Sequence, residues 1–173
     1  MTRLISIVFA SVLLLAGCDA GGGGYSGASQ YRISSNSTAK VQYRVLDSIN
    51  ALRQAAGAAP LAFNAKLNAS AATHSRDMSI QNRPWHFGSD GSSPIQRVKR
   101  VGYEGRFMGE NISETYESEL LTLEAWLAQE DTRAVIMNPE AQEIGFAWFQ
   151  EASGKIWWTL VTGRSDAAPM VHG

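Results

Sequence analysis

Two stretches near the end of the chain leave the fewest folding choices open. Residues 143–150 alternate, with Ile144, Phe146 and Trp148 on one side, and residues 155–162 repeat the pattern with Ile156, Trp158 and Leu160. A period of two is the signature of a half-buried strand. Ser153 and Gly154 lie between the runs, and so short a Gly-containing link predicts an antiparallel hairpin. Upstream, helical spacing dominates. Val45, Ile49, Leu52 and Ala56 share a face up to Gly57, and Leu67, Ala71, His74 and Met78 share one after Asn64. Ile95, Val98 and Val101 follow Ser93-Pro94, and Leu120, Leu123 and Leu127 follow Ser118, with Trp126 beside that stripe. Asn64, Ser93 and Ser118 are residues that cap helices, and Pro94 suits a first helical position. Asp131 is expected to cap one more turn, closed by Asn138-Pro139. Residues 60–63 read as a short extended link and residues 105–113 as a strand. Helices flanking a few strands, with no βαβ rhythm, predict an α+β fold with an antiparallel sheet.

Of the 173 residues 45% are hydrophobic and 18% charged, enough for one domain with a real core. The net charge of −1 and the lack of a basic patch argue against a nucleic-acid partner. Cys18 is the single cysteine, so no disulfide framework exists. It closes an apolar run, residues 4–16, that is too short to span a bilayer and reads as a signal-peptide core. The ending Leu15-Ala16-Gly17-Cys18 resembles a bacterial lipobox. That resemblance implies a lipoprotein signal peptide over 1–17, with cleavage before Cys18 and acylation of its thiol and amino group. Residues 18–40 then read as the lipidated Cys and a flexible Gly/Ser tether of roughly 25 Å r.m.s. reach. The domain is expected over 41–164 and a loose tail over 165–173.

Within the domain, Gly109-Glu110-Asn111-Ile112 sets a carboxylate among apolar neighbours. If extended, alternation puts Met108, Glu110 and Ile112 on one face. A buried carboxylate must find a partner or take up a proton. His74 falls on an apolar helix face, where a core histidine with a satisfied hydrogen bond is the expectation. Ser75 follows it directly, but adjacent helical residues point apart, so the two are no nucleophile–base pair.

These motifs together resemble the CAP superfamily of cysteine-rich secretory, antigen 5 and pathogenesis-related proteins, and most of all its cysteine-free bacterial SCP-like domains. The matching residues are Ala72-Thr73-His74-Ser75-Arg76-Asp77-Met78, His86, Asp90-Gly91-Ser92-Ser93-Pro94 with Arg97, and Gly102-Tyr103. They continue through Gly109-Glu110-Asn111-Ile112, Trp126, Arg133, Asn138-Pro139 and Glu143-Ile144-Gly145. The resemblance implies an α-β-α sandwich, a central antiparallel sheet flanked by helices. It also implies a cleft where many members carry two His and two Glu able to hold a divalent metal. By position, that tetrad maps onto His86, Glu110, Gln129 and Thr132. Gln129 stands for the second Glu and Thr132 for the second His, so one imidazole and one carboxylate remain, too few for a catalytic zinc site.

No metal and no cofactor is therefore expected, and His86 and Glu110 are the candidates for any catalysis. The Glu110 side chain is expected beside His86 at the mouth of a cleft. Members linked to sterol and lipid binding suggest a non-enzymatic module holding a lipid, a small apolar ligand or a cell-envelope component. A hydrolase using His86 and Glu110 as acid and base, and a structural or partner-binding protein with a vestigial cleft, are the alternatives. The expected place is the cell envelope, lipid-anchored on the extracytoplasmic side of a bacterial membrane.

Overall fold

A computed structural model describes residues 31–165 apart from residue 116. The expected signal peptide, Cys18, most of the expected tether and residues 166–173 of the expected tail lie outside the described residues. Among the described residues a 3-10 turn (Ser35–Ser37) is followed by five α-helices and four strands in the order α1 (Thr38–Ala55), β1 (Ala62–Phe63), α2 (Ala65–Gln81), α3 (Pro94–Arg100), β2 (Arg106–Thr115), α4 (Glu119–Ala128), α5 (Glu130–Met137), β3 (Glu143–Gln150) and β4 (Ile156–Arg164). The sheet order is β1-β3-β4-β2. The β3–β4 hairpin forms as the alternation requires, with Ile144, Phe146 and Trp148 packed with Ile156, Trp158 and Leu160. Gly154 takes φ +94° in its turn, a conformation that favours glycine.

The sheet separates two helical layers, so the fold is an α-β-α sandwich. On one face α1, α4 and α5 bury Val45, Ile49, Leu123, Trp126 and Ile136 against Phe146, Trp158 and Leu160. On the other, α2 and α3 bury Leu67, Ala71 and Val98 against Ala147 and Val161. The second layer lies very close. A Cβ at Gly145 would sit 2.2 Å from the backbone of Leu67, so only glycine admits α2 there.

Several expectations need correction. The sheet is mixed, because the extended link over 60–63 supplies β1, which pairs in parallel with β3 through Ala62 and Phe63. The domain begins before residue 41. α1 starts at Thr38, and Tyr31 and Ile33 already pack against the main core. Helix α4 turns about one residue from the expected phase: Glu119, Thr122, Leu123 and Trp126 face inward, while Leu120 is 39% exposed. In this phase Glu119, buried, accepts from Arg44 at 2.5 Å and from the Tyr31 hydroxyl, and Trp126 Nε1 donates to the Ile112 carbonyl at 3.2 Å. Asp131 is not a cap, since Gln129 precedes α5, whose first turn contains Asp131. Leu52 and Ile95 point outward; their places inside are taken by Arg53 and Arg97. Arg53 donates to the carbonyls of Ala59, Ile136, Asn138 and Ala141, which ties α1 to the end of α5.

No helix among the described residues is long and apolar enough to cross a membrane.

Candidate functional site: a buried carboxylate between two histidines and an arginine

Strand β2 carries the site. Its pairing with β4 shifts between Phe107 and Gly109, a bulge at Met108. The bulge breaks the expected alternation. Met108 packs with the α1–α4–α5 layer, whereas Phe107 packs with the α2–α3 layer. Glu110 pairs with Val161, whose side chain faces α2 and α3, so Glu110 shares the face of Phe107 and not that of Met108.

There the carboxylate meets three side chains, from α2, from the loop after it and from α3. His86 Nδ1 donates to Glu110 Oε1 at 2.9 Å. Arg97 Nη2 donates to both oxygens, at 2.8 and 2.7 Å. Arg97 Nη1 donates to the carbonyls of His86 at 2.8 Å and Ser92 at 3.1 Å, so one guanidinium fastens both the carboxylate and the loop that presents His86. His74 Nε2 lies 3.8 Å from Glu110 Oε1 and donates to the Trp85 carbonyl at 3.0 Å. The Glu110 side chain is 2% exposed, and that of His86 is 50% exposed. The hub is thus closed around its carboxylate and open at one imidazole.

The local sequence makes this arrangement. Ser93 and Gln96 form a capping box that starts α3, with Pro94 in its first turn. One turn later Arg97 points inward while Ile95 faces water. Asn64 caps α2 by accepting from Lys66 and Leu67, which sets the phase that buries His74. Burial holds the His74 imidazole below its ordinary range, with the nearby Glu110 charge acting against that shift. His74 is the expected core histidine bonded through one nitrogen, but its Nδ1 has no hydrogen-bond partner.

His86 and Glu110 are therefore brought together as their positions predicted. Gln129 and Thr132 are not brought to them. Asn111, next to Glu110, points the opposite way and donates to the Thr132 carbonyl at 2.8 Å, on the α5 side of the sheet. The Thr132 hydroxyl donates to the Trp126 carbonyl at 2.6 Å, and Gln129 is the junction of α4 and α5. Among the described residues no group of three or more His, Cys, Asp or Glu is placed to hold a metal ion.

Sequence reasoning missed Arg97 as the main partner of Glu110, although a buried carboxylate calls for a cation and Arg97 sat in a quoted motif. It also missed the rim beside His86. Trp85 and Phe87 stand with ring centroids 5.5 Å apart, and the Arg83 guanidinium lies 3.9 Å from the Trp85 ring centre. Trp85 Nε1 donates to Gln81 at 2.7 Å, which pins the indole to the end of α2.

An α-β-α sandwich with a Glu–His–Arg hub under a loop defines the class. The model of the CAP family, the cysteine-rich secretory protein family, matches residues 46–162, and the chain belongs to that family. It is 30% identical over 129 residues to the uncharacterized protein YkwD of Bacillus subtilis, an alignment covering 75% of this chain and 49% of that protein. The chain thus spans about half the length of that curated relative. Its fold is similar to that of an extracellular protein containing an SCP domain from Bacillus anthracis, with a TM-score of 0.66, 20% identity and coverage of 78% of this chain and 45% of the other. It is also similar to an outer surface protein from Borrelia burgdorferi, with a TM-score of 0.65, 16% identity and coverage of 79% of this chain and 99% of the other.

Proposed function

We propose that this is a lipid-anchored CAP domain that works in the cell envelope, outside the cytoplasm, by binding a lipid or another small apolar ligand and not by catalysis. One observation carries the reading: the Glu110 carboxylate is enclosed by Arg97 and His86, while aromatic side chains stand at the surface beside it. Both Glu110 oxygens are taken by Arg97, and one also by His86. A carboxylate so enclosed is badly placed to move protons at a substrate. Trp85, half-buried, and Phe87, exposed, supply the kind of surface that holds an apolar ligand. The lipobox-like end at Cys18 supports the anchor. The extracellular and outer-surface proteins that share the fold support the compartment.

The hydrolase reading has one observation in its favour. Glu110 holds His86 through Nδ1 and leaves the other ring nitrogen on the exposed side, the arrangement of an oriented base. No hydroxyl or thiol among the described residues is hydrogen-bonded to His86, so this reading takes water as its nucleophile.

Extraction of the purified mature protein with organic solvent, followed by mass spectrometry, tests the binding reading. A stoichiometric lipid or apolar compound is expected. A protein that emerges empty from its own membrane, and takes up no lipid from vesicles, would defeat it.

A further inference from the structure

We infer that the loop between α2 and α3 is where the domain meets the bilayer, with Trp85 and Phe87 seated at the lipid–water boundary. The inference rests on the anchor at Cys18 proposed above and adds an orientation and a contact surface to it.

The first observation is where the chain enters the domain. Residues Tyr31 to Ile33 are fastened to the turn of the β3–β4 hairpin. Gln150 Nε2 donates to the Tyr31 carbonyl at 2.9 Å, and the Ile33 amide donates back to Gln150 Oε1 at 3.0 Å. Arg32 donates to the carbonyls of Glu151 at 3.1 Å and Ala152 at 2.7 Å. An anchor at Cys18 therefore pulls on the hairpin end. Thirteen Cα–Cα steps separate Cys18 from Tyr31, so this end stays within about 45 Å of the anchor whatever the path of the chain.

The second observation is what else lies at that end. On the other side of the sheet the same hairpin holds the end of α2. Ser79 Oγ donates to Glu151 at 2.9 Å, and Lys155 Nζ donates to the Asn82 side chain at 3.1 Å. The loop after α2 carries two aromatic rings at its surface. Phe87 is 47% exposed, with Trp85 half-buried beside it. Both rings are held at one place by Gln81, which accepts from the Trp85 indole and donates to the Phe87 carbonyl at 3.2 Å.

Chemistry selects the occupant. An indole and a phenyl ring beside a cation are the groups that settle at the headgroup level, where one end of the side chain is apolar and the other wet. Arg83 stacked on Trp85 is that cation, and no carboxylate pairs with it among the described residues. Anchor and loop then act together. A single apolar loop adds little affinity alone, but the tether keeps it at high local concentration beside the bilayer. The half-exposed His86 lies between Trp85 and Phe87 in sequence, so the hub opens where a lipid leaving the bilayer would first arrive.

The test uses the mature acylated full chain in vesicles of phosphatidylethanolamine and phosphatidylglycerol whose acyl chains carry bromine near the headgroup. Bromine quenches indoles that touch the bilayer. The quenched emission should be that of one indole among five. Trp85→Phe should abolish it, and Phe87→Ser should sharply reduce it while circular dichroism stays unchanged, since that side chain faces water. Protein that floats with the vesicles, carries acyl chains by mass and shows no quenching assigned to Trp85 would overturn the docking and leave the anchor standing. Protein that lacks acyl chains and does not float would overturn both. Cys18→Ser that floats and is quenched like wild type would overturn the tethered geometry.

Discussion

Replacing Arg97 with methionine gives the sharpest view of the hub. The volume is similar, so packing is largely kept, but two hydrogen bonds to Glu110 and two to backbone carbonyls disappear. Glu110, with a side chain 2% exposed, is left charged in the interior with His86 as its remaining close partner. Breaking a buried pair from one side costs about 3–5 kcal/mol, because the surviving charge keeps its desolvation penalty. For a domain of this size that is a fall in Tm of roughly 10–20 °C. His86→Ala removes a single contact from a half-exposed ring and should cost about 1 kcal/mol or less. The double variant Arg97→Met with Glu110→Met should recover much of the loss, since an apolar pair replaces the charges together. Urea unfolding of the four proteins, read by tryptophan fluorescence, supplies the comparison. If Arg97→Met costs less than about 1 kcal/mol, or no more than His86→Ala, then Arg97 does not hold the hub and the reasoning fails.

Three further outcomes follow from the same contacts. Arg53→Lys should destabilise the domain by about 3 kcal/mol or more, because one ammonium cannot reach four carbonyls that a guanidinium spans; calorimetric melting reads it. His74, held below its ordinary range chiefly by burial, should keep a neutral ring in NMR titrations as pH falls through about 6.5, where the unfolded chain takes up its proton. The unfolded state then binds more protons, so stability present above that pH is lost on acidification; equal stability at pH 7.5 and 5.5 would contradict this. Isothermal titration with zinc should give weak binding that Thr132→Ala leaves unchanged, since the Thr132 hydroxyl is bound to the Trp126 carbonyl across the sheet from Glu110. A tight one-to-one site lost in His86→Ala would reverse that and move the hydrolase reading forward.

How far the sequence reaches depends on how local each cause is. The caps at Asn64, Ser93 and Ser118 and the turn at Gly154 are set by neighbours within a few residues, and all were legible. The closeness of His86 to Glu110 was legible through the resemblance and not through spacing. What stayed hidden depends on partners far along the chain. Nothing near Glu119 announces that its partner will be Arg44, 75 residues earlier. Nothing in the run Arg106 to Ser113 marks the extra residue at Met108, because a bulge shows only against the partner strand. Arg53 and Arg97 lie on otherwise amphipathic helices, where a charged residue at an inward position looks like a break in the pattern. Their carbonyl and carboxylate partners come from other elements, and only the fold brings those together.

Whether the hub binds or reacts is decided most directly by incubating the wild-type protein and its Glu110→Gln variant with isolated envelope polymers and lipids. Mass spectrometry then follows both the substrates and the protein. The expected result is an unchanged substrate spectrum in both samples, with one apolar species bound per wild-type chain. A product formed by the wild type and absent with Glu110→Gln, where the variant is shown to be folded, would contradict it.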